Sequence, residues 1–157
     1  MKIAFVIYDL SNGGAEKVVS LLSCEMSKKH HVTIILFNNM VDYEYGGTLL
    51  NLNIPSRTGK VNKFINILKR VVSLKRVFKE KKFEKIYSFM ESANIPSLLA
   101  SNKVIVSVRN NPLKFDKLTQ FLIKILYKRA KRVIVNSYAN KEILKKHFYL
   151  NNISVIY

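Results

Sequence analysis

The chain has 157 residues, 48% of them hydrophobic, and carries 27 Lys and Arg against 10 Asp and Glu for a net charge of +17. That length suits one α/β domain burying about two-thirds of its unfolded surface; the single cysteine, Cys24, excludes an internal disulfide framework and points to a reducing, cytosolic compartment. No apolar run reaches the ~20 residues of a membrane-spanning helix, and a charge of +17 implies a polyanionic partner, nucleic acid or an anionic membrane surface, although a lysine-rich exterior is itself an ordinary solvated face.

The first predicted element is a near-continuous apolar strand over 2–10, too short and without the cleavage site of a signal peptide. It runs through Ser11-Asn12-Gly13-Gly14 into a helix over 15–28. A strand, a glycine turn and a helix N-terminus in that order make an anion site. Glycine admits close approach of a ligand to the backbone and allows φ > 0, while free N–H groups and the positive dipole end face a phosphate. A tight βα turn without a ligand has the same spacing, because the full dinucleotide fingerprint is missing.

A second buried strand covers 31–37, followed by a polar loop over 38–48 and a short alternating strand over 49–54 that Pro55 ends. His30 and His31 have no second ligand at metal spacing. After the loop 56–60 the longest helical pattern covers 61–83. There Phe64, Ile67, Leu68, Val71, Leu74 and Phe78 recur at three- and four-residue steps, which predicts an inward apolar stripe opposed by Lys63, Lys69, Arg70, Arg76 and Lys79. Such a basic amphipathic helix covers a sheet with its charge outward or lies in a membrane interface.

A strand over 85–90 leads through Glu91-Ser92-Ala93-Asn94 into a short helix ending near Ser101. The next strand, 104–108, delivers Arg109-Asn110-Asn111-Pro112. Helix 118–132 sets Leu118, Phe121, Leu122, Ile125 and Leu126 against Lys117, Lys124, Lys128 and Arg129. Strand 133–137, helix 141–148 and a last strand over 153–157 complete the pattern. This alternation predicts a doubly wound, mostly parallel Rossmann-like sheet of about six or seven strands with helices on both faces. Right-handed crossovers put all strand carboxyl ends on one edge, gathering Asp9 to Gly14, Phe89 to Asn94, Arg109 to Asn111 and Ser137 to Asn140, where ligands of open α/β sheets bind.

The segment Asn12-Gly13-Gly14-Ala15-Glu16-Lys17-Val18-Val19 after the first strand is the most specific part of a wider pattern. With Ser88-Phe89-Met90-Glu91-Ser92-Ala93-Asn94, Ser107-Val108-Arg109-Asn110-Asn111-Pro112 and Val135-Asn136-Ser137, it resembles the N-terminal domain of family-4 retaining glycosyltransferases of the GT-B fold. The resemblance covers the whole chain. It implies the acceptor-side half of a two-domain enzyme, with the nucleotide-sugar-binding C-terminal domain absent from this chain and no turnover by the chain alone.

It further implies that Gly13 and Gly14 approach the donor phosphates of a UDP- or GDP-sugar, with no metal and no tightly bound cofactor. Asn12, Glu16, Glu91, Asn94, Asn110, Asn111 and Ser137 are the expected acceptor and cleft residues, and Glu16 reads equally well as a charge that favours the helix dipole. Many members carry a His where this chain has Arg109, a permanent cation that supports phosphate charge electrostatically and cannot act as a base. Partners are then a nucleotide-sugar and a glycan or lipid-linked acceptor in bacterial surface glycoconjugate synthesis. The basic face formed by Lys63, Lys69, Arg70, Arg76, Lys79, Lys124, Lys128 and Arg129 is expected to meet anionic lipid or an acceptor pyrophosphate on the cytoplasmic side of the membrane.

A basic domain that binds nucleic acid or another polyanion without catalysis is the alternative. No specific nucleic acid is expected, because the aromatics fall at apolar positions and no nucleic-acid motif occurs. A Rossmann oxidoreductase requires an acidic residue after the second strand, where Phe37-Asn38-Asn39 stands.

Overall fold

The structure, a computed structural model, describes residues 1–56 and 59–156; the expected loop 56–60 and last strand run outside them at Arg57, Thr58 and Tyr157. Among the described residues seven strands form, β1 (Lys2–Ile7), β2 (His31–Leu36), β3 (Thr48–Asn51), β4 (Lys85–Phe89), β5 (Val104–Val108), β6 (Arg132–Val135) and β7 (Ile153–Val155). Five helices connect them: α1 (Gly14–Ser27), α2 (Lys60–Lys81), α3 (Glu91–Ala100), α4 (Lys117–Leu126) and α5 (Tyr138–Phe148). All pairings are parallel and the strand order is β3-β2-β1-β4-β5-β6-β7. Strand order reverses between β1 and β4, the switch point at which α/β sheets open a crevice.

Alternation along β1 separates two cores. Ala4 and Val6 pack with Leu74 and Val77 of α2, Leu98 of α3, Ile123 of α4 and Leu144 of α5. Ile3, Phe5 and Ile7 face the other way, onto Ala15 and Val19 of α1. Four helices therefore lie on one face and α1 on the other. Each fully buried aliphatic contributes about 1.5–3 kcal/mol by leaving water, so the larger core anchors the α2–α5 layer.

Two helices depart from the expected pattern. On α2 the buried positions include Asn66, Arg70, Val71, Leu74 and Val77, whereas Phe64 and Leu68 are 63% and 48% exposed. The predicted stripe is rotated. Arg70, expected outside with the other cations, is 4% exposed, because two aromatic rings and several backbone carbonyls beneath α2 receive it.

The helix expected over 118–132 stops at Leu126 and tightens into a 3₁₀ turn, Tyr127–Arg129. Tyr127 is fully buried, and turning it inward brings its hydroxyl to Asn94 while freeing Arg132 to start β6 beside Ile105. Leu118, Phe121 and Ile125, on the apolar side set against the cations, are 66%, 58% and 48% exposed.

Candidate functional site

The carboxyl rim of the sheet begins at β1. The buried Asp9 carboxylate accepts from Ser11 N, Ser11 Oγ and Asn38 Nδ2 at 3.2, 2.7 and 3.1 Å, tying the loop after β1 to the end of β2. Gly13 then caps α1 in an extended conformation, φ −161° and ψ 163°, so the left-handed freedom expected of this turn is not used. The Glu16 carboxylate folds over the face of Gly13 that a Cβ would occupy, and this flexible side chain can swing aside to admit one. Gly14 has open space at the same position, so an anion can reach the first turn of this 14-residue helix only beside the Glu16 carboxylate. Asn12 is exposed beside it.

At the end of β4 the chain turns through Met90 at φ 69° and ψ 153°, a conformation that costs a non-glycine residue on the order of 1–3 kcal/mol. The bend sends Glu91 and Asn94 inward, where they are 7% and 0% exposed. Asn94 is a brace. Its Oδ1 accepts from Ser88 Oγ at 2.6 Å, and its Nδ2 donates to Ser107 O and Tyr127 Oη at 3.1 and 3.0 Å. With its amide spent and no surface, Asn94 does not face the cleft as expected; it fixes β4, β5 and the end of α4 to one another.

Tyr127 Oη in turn donates to Glu91 Oε1 at 3.5 Å. Burial pushes the Glu91 carboxyl up to about 7, against the opposing pull of its own backbone N–H and of Tyr127. The Tyr127 hydroxyl is pushed up as well, by burial and by the neighbouring carboxylate.

Arg109 leaves β5 half-buried, and its Nε is buried with no hydrogen-bond partner among the described residues. Burial lowers its pKa, yet a guanidinium stays charged. Its carbonyl accepts from Asn136 Nδ2 at 3.4 Å, and Asn136 Oδ1 accepts from Asn140 Nδ2 at 3.2 Å. Ser137 caps α5 by accepting from Asn140 N at 3.2 Å. Asn110 is exposed and reaches Met90 Sδ at 3.9 Å, while Asn111 caps a short 3₁₀ turn by accepting from Leu113 N. The β5 and β6 ends thus form one polar assembly around an uncommitted cation, and Asn110 links it to the β4 bend.

Between α2, α3 and α4 lies a cavity of about 260 Å³ lined by Ser56, Lys63, Asn66, Ile67, Arg70, Glu91, Ser92, Ile95, Pro96, Phe115 and Thr119. Arg70 forms one wall, stacked 4.5 Å from the Phe37 centroid and 5.3 Å from that of Tyr8. The sequence pattern sets Glu91 at the cleft and does not disclose this crevice. The signal was the i, i+4 pair Asn66 and Arg70 in line with Leu74, a polar continuation of an inward row.

The remaining cations divide. Lys63 borders the crevice, whereas Lys69, Arg76 and Lys79 share the outward side of α2 with exposed Ile65, Leu68 and Val72. Lys124, Lys128 and Arg129 are exposed around the end of α4, and Lys124 Nζ sits 5.0 Å over the Tyr149 ring. Among the described residues no group of three or more His, Cys, Asp or Glu is gathered as a metal would require, and no helix is long and apolar enough to cross a membrane.

Residues 12–157 match the family Glycosyltransferase Family 4. A curated relative from Campylobacter jejuni, N-acetylgalactosamine-N,N'-diacetylbacillosaminyl-diphospho-undecaprenol 4-alpha-N-acetylgalactosaminyltransferase, is 27% identical over 96% of this chain and 45% of its own length. The chain therefore spans under half of that relative. Among solved structures, sucrose-phosphate synthase from Thermosynechococcus elongatus superposes with a TM-score of 0.79 at 14% identity, over 99% of this chain and 47% of the other. The apo form of the lipopolysaccharide outer core galactosyltransferase WaaB gives 0.71 at 18% identity, over 100% and 45%. At these identities the two structures share a fold.

Proposed function

The chain belongs to glycosyltransferase family 4, and from that premise we propose that it is the acceptor-side Rossmann-like domain of a retaining GT-B glycosyltransferase. The reaction moves a sugar from a UDP- or GDP-sugar to a glycan or lipid-linked acceptor in bacterial surface glycoconjugate synthesis. The observation that carries this reading is Arg109, whose buried Nε has no partner among the described residues although it stands at a strand end on the carboxyl rim of the sheet. The rest of this half-buried guanidinium reaches the surface and is available to phosphate oxygens that gain charge as the nucleoside diphosphate departs. The open backbone at Gly14 supplies the second contact, at the positive end of α1.

In this reading the second, nucleotide-binding domain lies in the part of the relatives that this chain does not span. Asn12, Glu16, Asn110, Asn111 and Ser137 border the shared cleft, and Glu91 reaches it from below. The test is transfer from UDP- and GDP-sugars to a diphospho-undecaprenol acceptor by the gene's full product. Product with retained anomeric configuration is expected, and its absence with every donor overturns the proposal.

The same proposal places the protein on the inner face of the cytoplasmic membrane. On α2, exposed Val61, Phe64, Ile65, Leu68 and Val72 alternate with Lys69, Arg76 and Lys79, the composition of a helix lying in a bilayer interface. Lys124, Lys128 and Arg129 add charge from α4 and its last turn, at about 1 kcal/mol per cation near an anionic surface. Phe5, Phe37, Phe83, Phe89, Tyr127 and Phe148 are core and cannot stack on nucleic-acid bases.

A further inference from the structure

We propose, resting on the acceptor-side reading above, that the α2–α3–α4 crevice is a subsite for one N-acetylated amino-sugar ring of the acceptor, with Arg70 and Asn66 recognising its acetamido group. The cavity of about 260 Å³ lies just below the ligand-site volumes that start at about 300 Å³. It has room for one pyranose ring and not for a nucleotide.

Its lining is of two kinds. Ile67, Ile95, Pro96 and Phe115 make an apolar end, which a hexose bearing only hydroxyls would leave poorly matched and a methyl group would fill. Polar groups converge beside that end. Arg70 spends four of its five N–H groups, Nε and one Nη2 N–H on Ile54 O, the other Nη2 N–H on Ser56 Oγ and one Nη1 N–H on Ser92 O. The fifth N–H, on Nη1, has no partner among the described residues, and the head group is too firmly held to turn away.

Asn66, 7% exposed, uses its Nδ2 on Pro55 O at 3.0 Å. That orientation commits its Oδ1 to act as an acceptor. An acetamido group presents one carbonyl acceptor, one N–H donor and one methyl, which is the complement of Arg70 Nη1, Asn66 Oδ1 and the apolar end. A phosphate would satisfy Arg70 and Lys63 but would set its charge against the buried Glu91 carboxyl and the four apolar residues.

Saturation-transfer NMR on the protein with the methyl glycosides of N-acetylgalactosamine and of galactose, and with inorganic pyrophosphate as competitor, tests this. The acetamido methyl should receive the strongest saturation, and the galactoside should bind about tenfold more weakly. Thr119→Phe, which fills the crevice from α4 without touching the core, should abolish the preference, and Phe115→Ala should weaken it by about tenfold. Equal saturation of both glycosides, displacement by pyrophosphate, or an unchanged preference in Thr119→Phe would overturn the inference. Sugar transfer without any acetamido preference refutes this subsite and leaves the transferase reading standing; acetamido binding without transfer to any lipid-linked acceptor does the reverse.

Discussion

Arg70 on α2 donates from Nη1 to the carbonyl oxygen of Ser92 on α3 at 3.2 Å, the carbonyl that a helical N–H at Pro96 would otherwise bond. Proline has no N–H, so the i−4 acceptor is orphaned inside the fold. A buried guanidinium, costly by itself, is stabilised by that carbonyl, by Ile54 O, by Ser56 Oγ and by the faces of Tyr8 and Phe37. The helix defect and the buried charge satisfy each other, and together they shape the crevice wall.

Replacing Arg70 by Leu removes the donor and leaves two part-buried carbonyls, Ile54 O and Ser92 O, without this partner, at up to about 1–3 kcal/mol for each unsatisfied group. We expect a loss of at least about 2 kcal/mol in urea unfolding. Arg70→Lys should recover little of it, because an ammonium cannot reach Ile54 O and Ser92 O in one planar fork.

Glu91 makes stability fall with rising pH. Its folded-state carboxyl is raised from 4.5 to about 7, so between those values the native state holds a proton that the unfolded chain has released. Stability from this group is complete below pH ~4.5 and is lost as pH rises through about 7, a total of about 3 kcal/mol. Denaturation of wild type and Glu91→Gln at pH 5 and pH 7.5 should give a difference that the variant flattens. An equal pH dependence in both proteins contradicts the assignment.

The sequence disclosed the sheet more fully than the site, for a physical reason. Buried parallel strands are apolar on both faces, so segments such as 31–37 and 104–108 announce themselves, and the rim residues follow from topology. Helix faces are harder to read. On α2 the apolar positions outnumber those the sheet can cover, so Phe64 and Leu68 cannot be told from Leu74 by periodicity, and Arg70 reads as solvent-facing until its partners from distant segments are seen. Asn94, expected at the cleft, is an internal brace, and its partners Ser107 and Tyr127 are too far away in the chain for spacing to reveal them.

Gly14 separates folding from binding. A methyl there meets nothing in the protein, and alanine is the better helix former by about 0.4–1 kcal/mol. Gly14→Ala should therefore keep or raise the melting temperature while weakening nucleotide-sugar binding, measured by calorimetry on the full product. Unchanged affinity would remove the phosphate contact from this turn.

Leu68→Asp and Val72→Asp lie on an exposed face, so neither should unfold the protein. Each should lower co-sedimentation with vesicles containing anionic phospholipid, and Lys69→Glu with Arg76→Glu should lower it further, by about 1 kcal/mol per charge removed. Indifference to vesicle charge would exclude this face as the membrane contact.

The account rests most heavily on Arg109 as the free cation of a transferase cleft. The direct measurement is transfer from UDP- and GDP-sugars to a diphospho-undecaprenol acceptor by the gene's full product, compared between wild type and Arg109→Ala with their melting temperatures recorded. We predict product of retained configuration from wild type and a kcat lower by about 10²–10³ in the variant at unchanged stability. Wild-type turnover that Arg109→Ala leaves intact would contradict it.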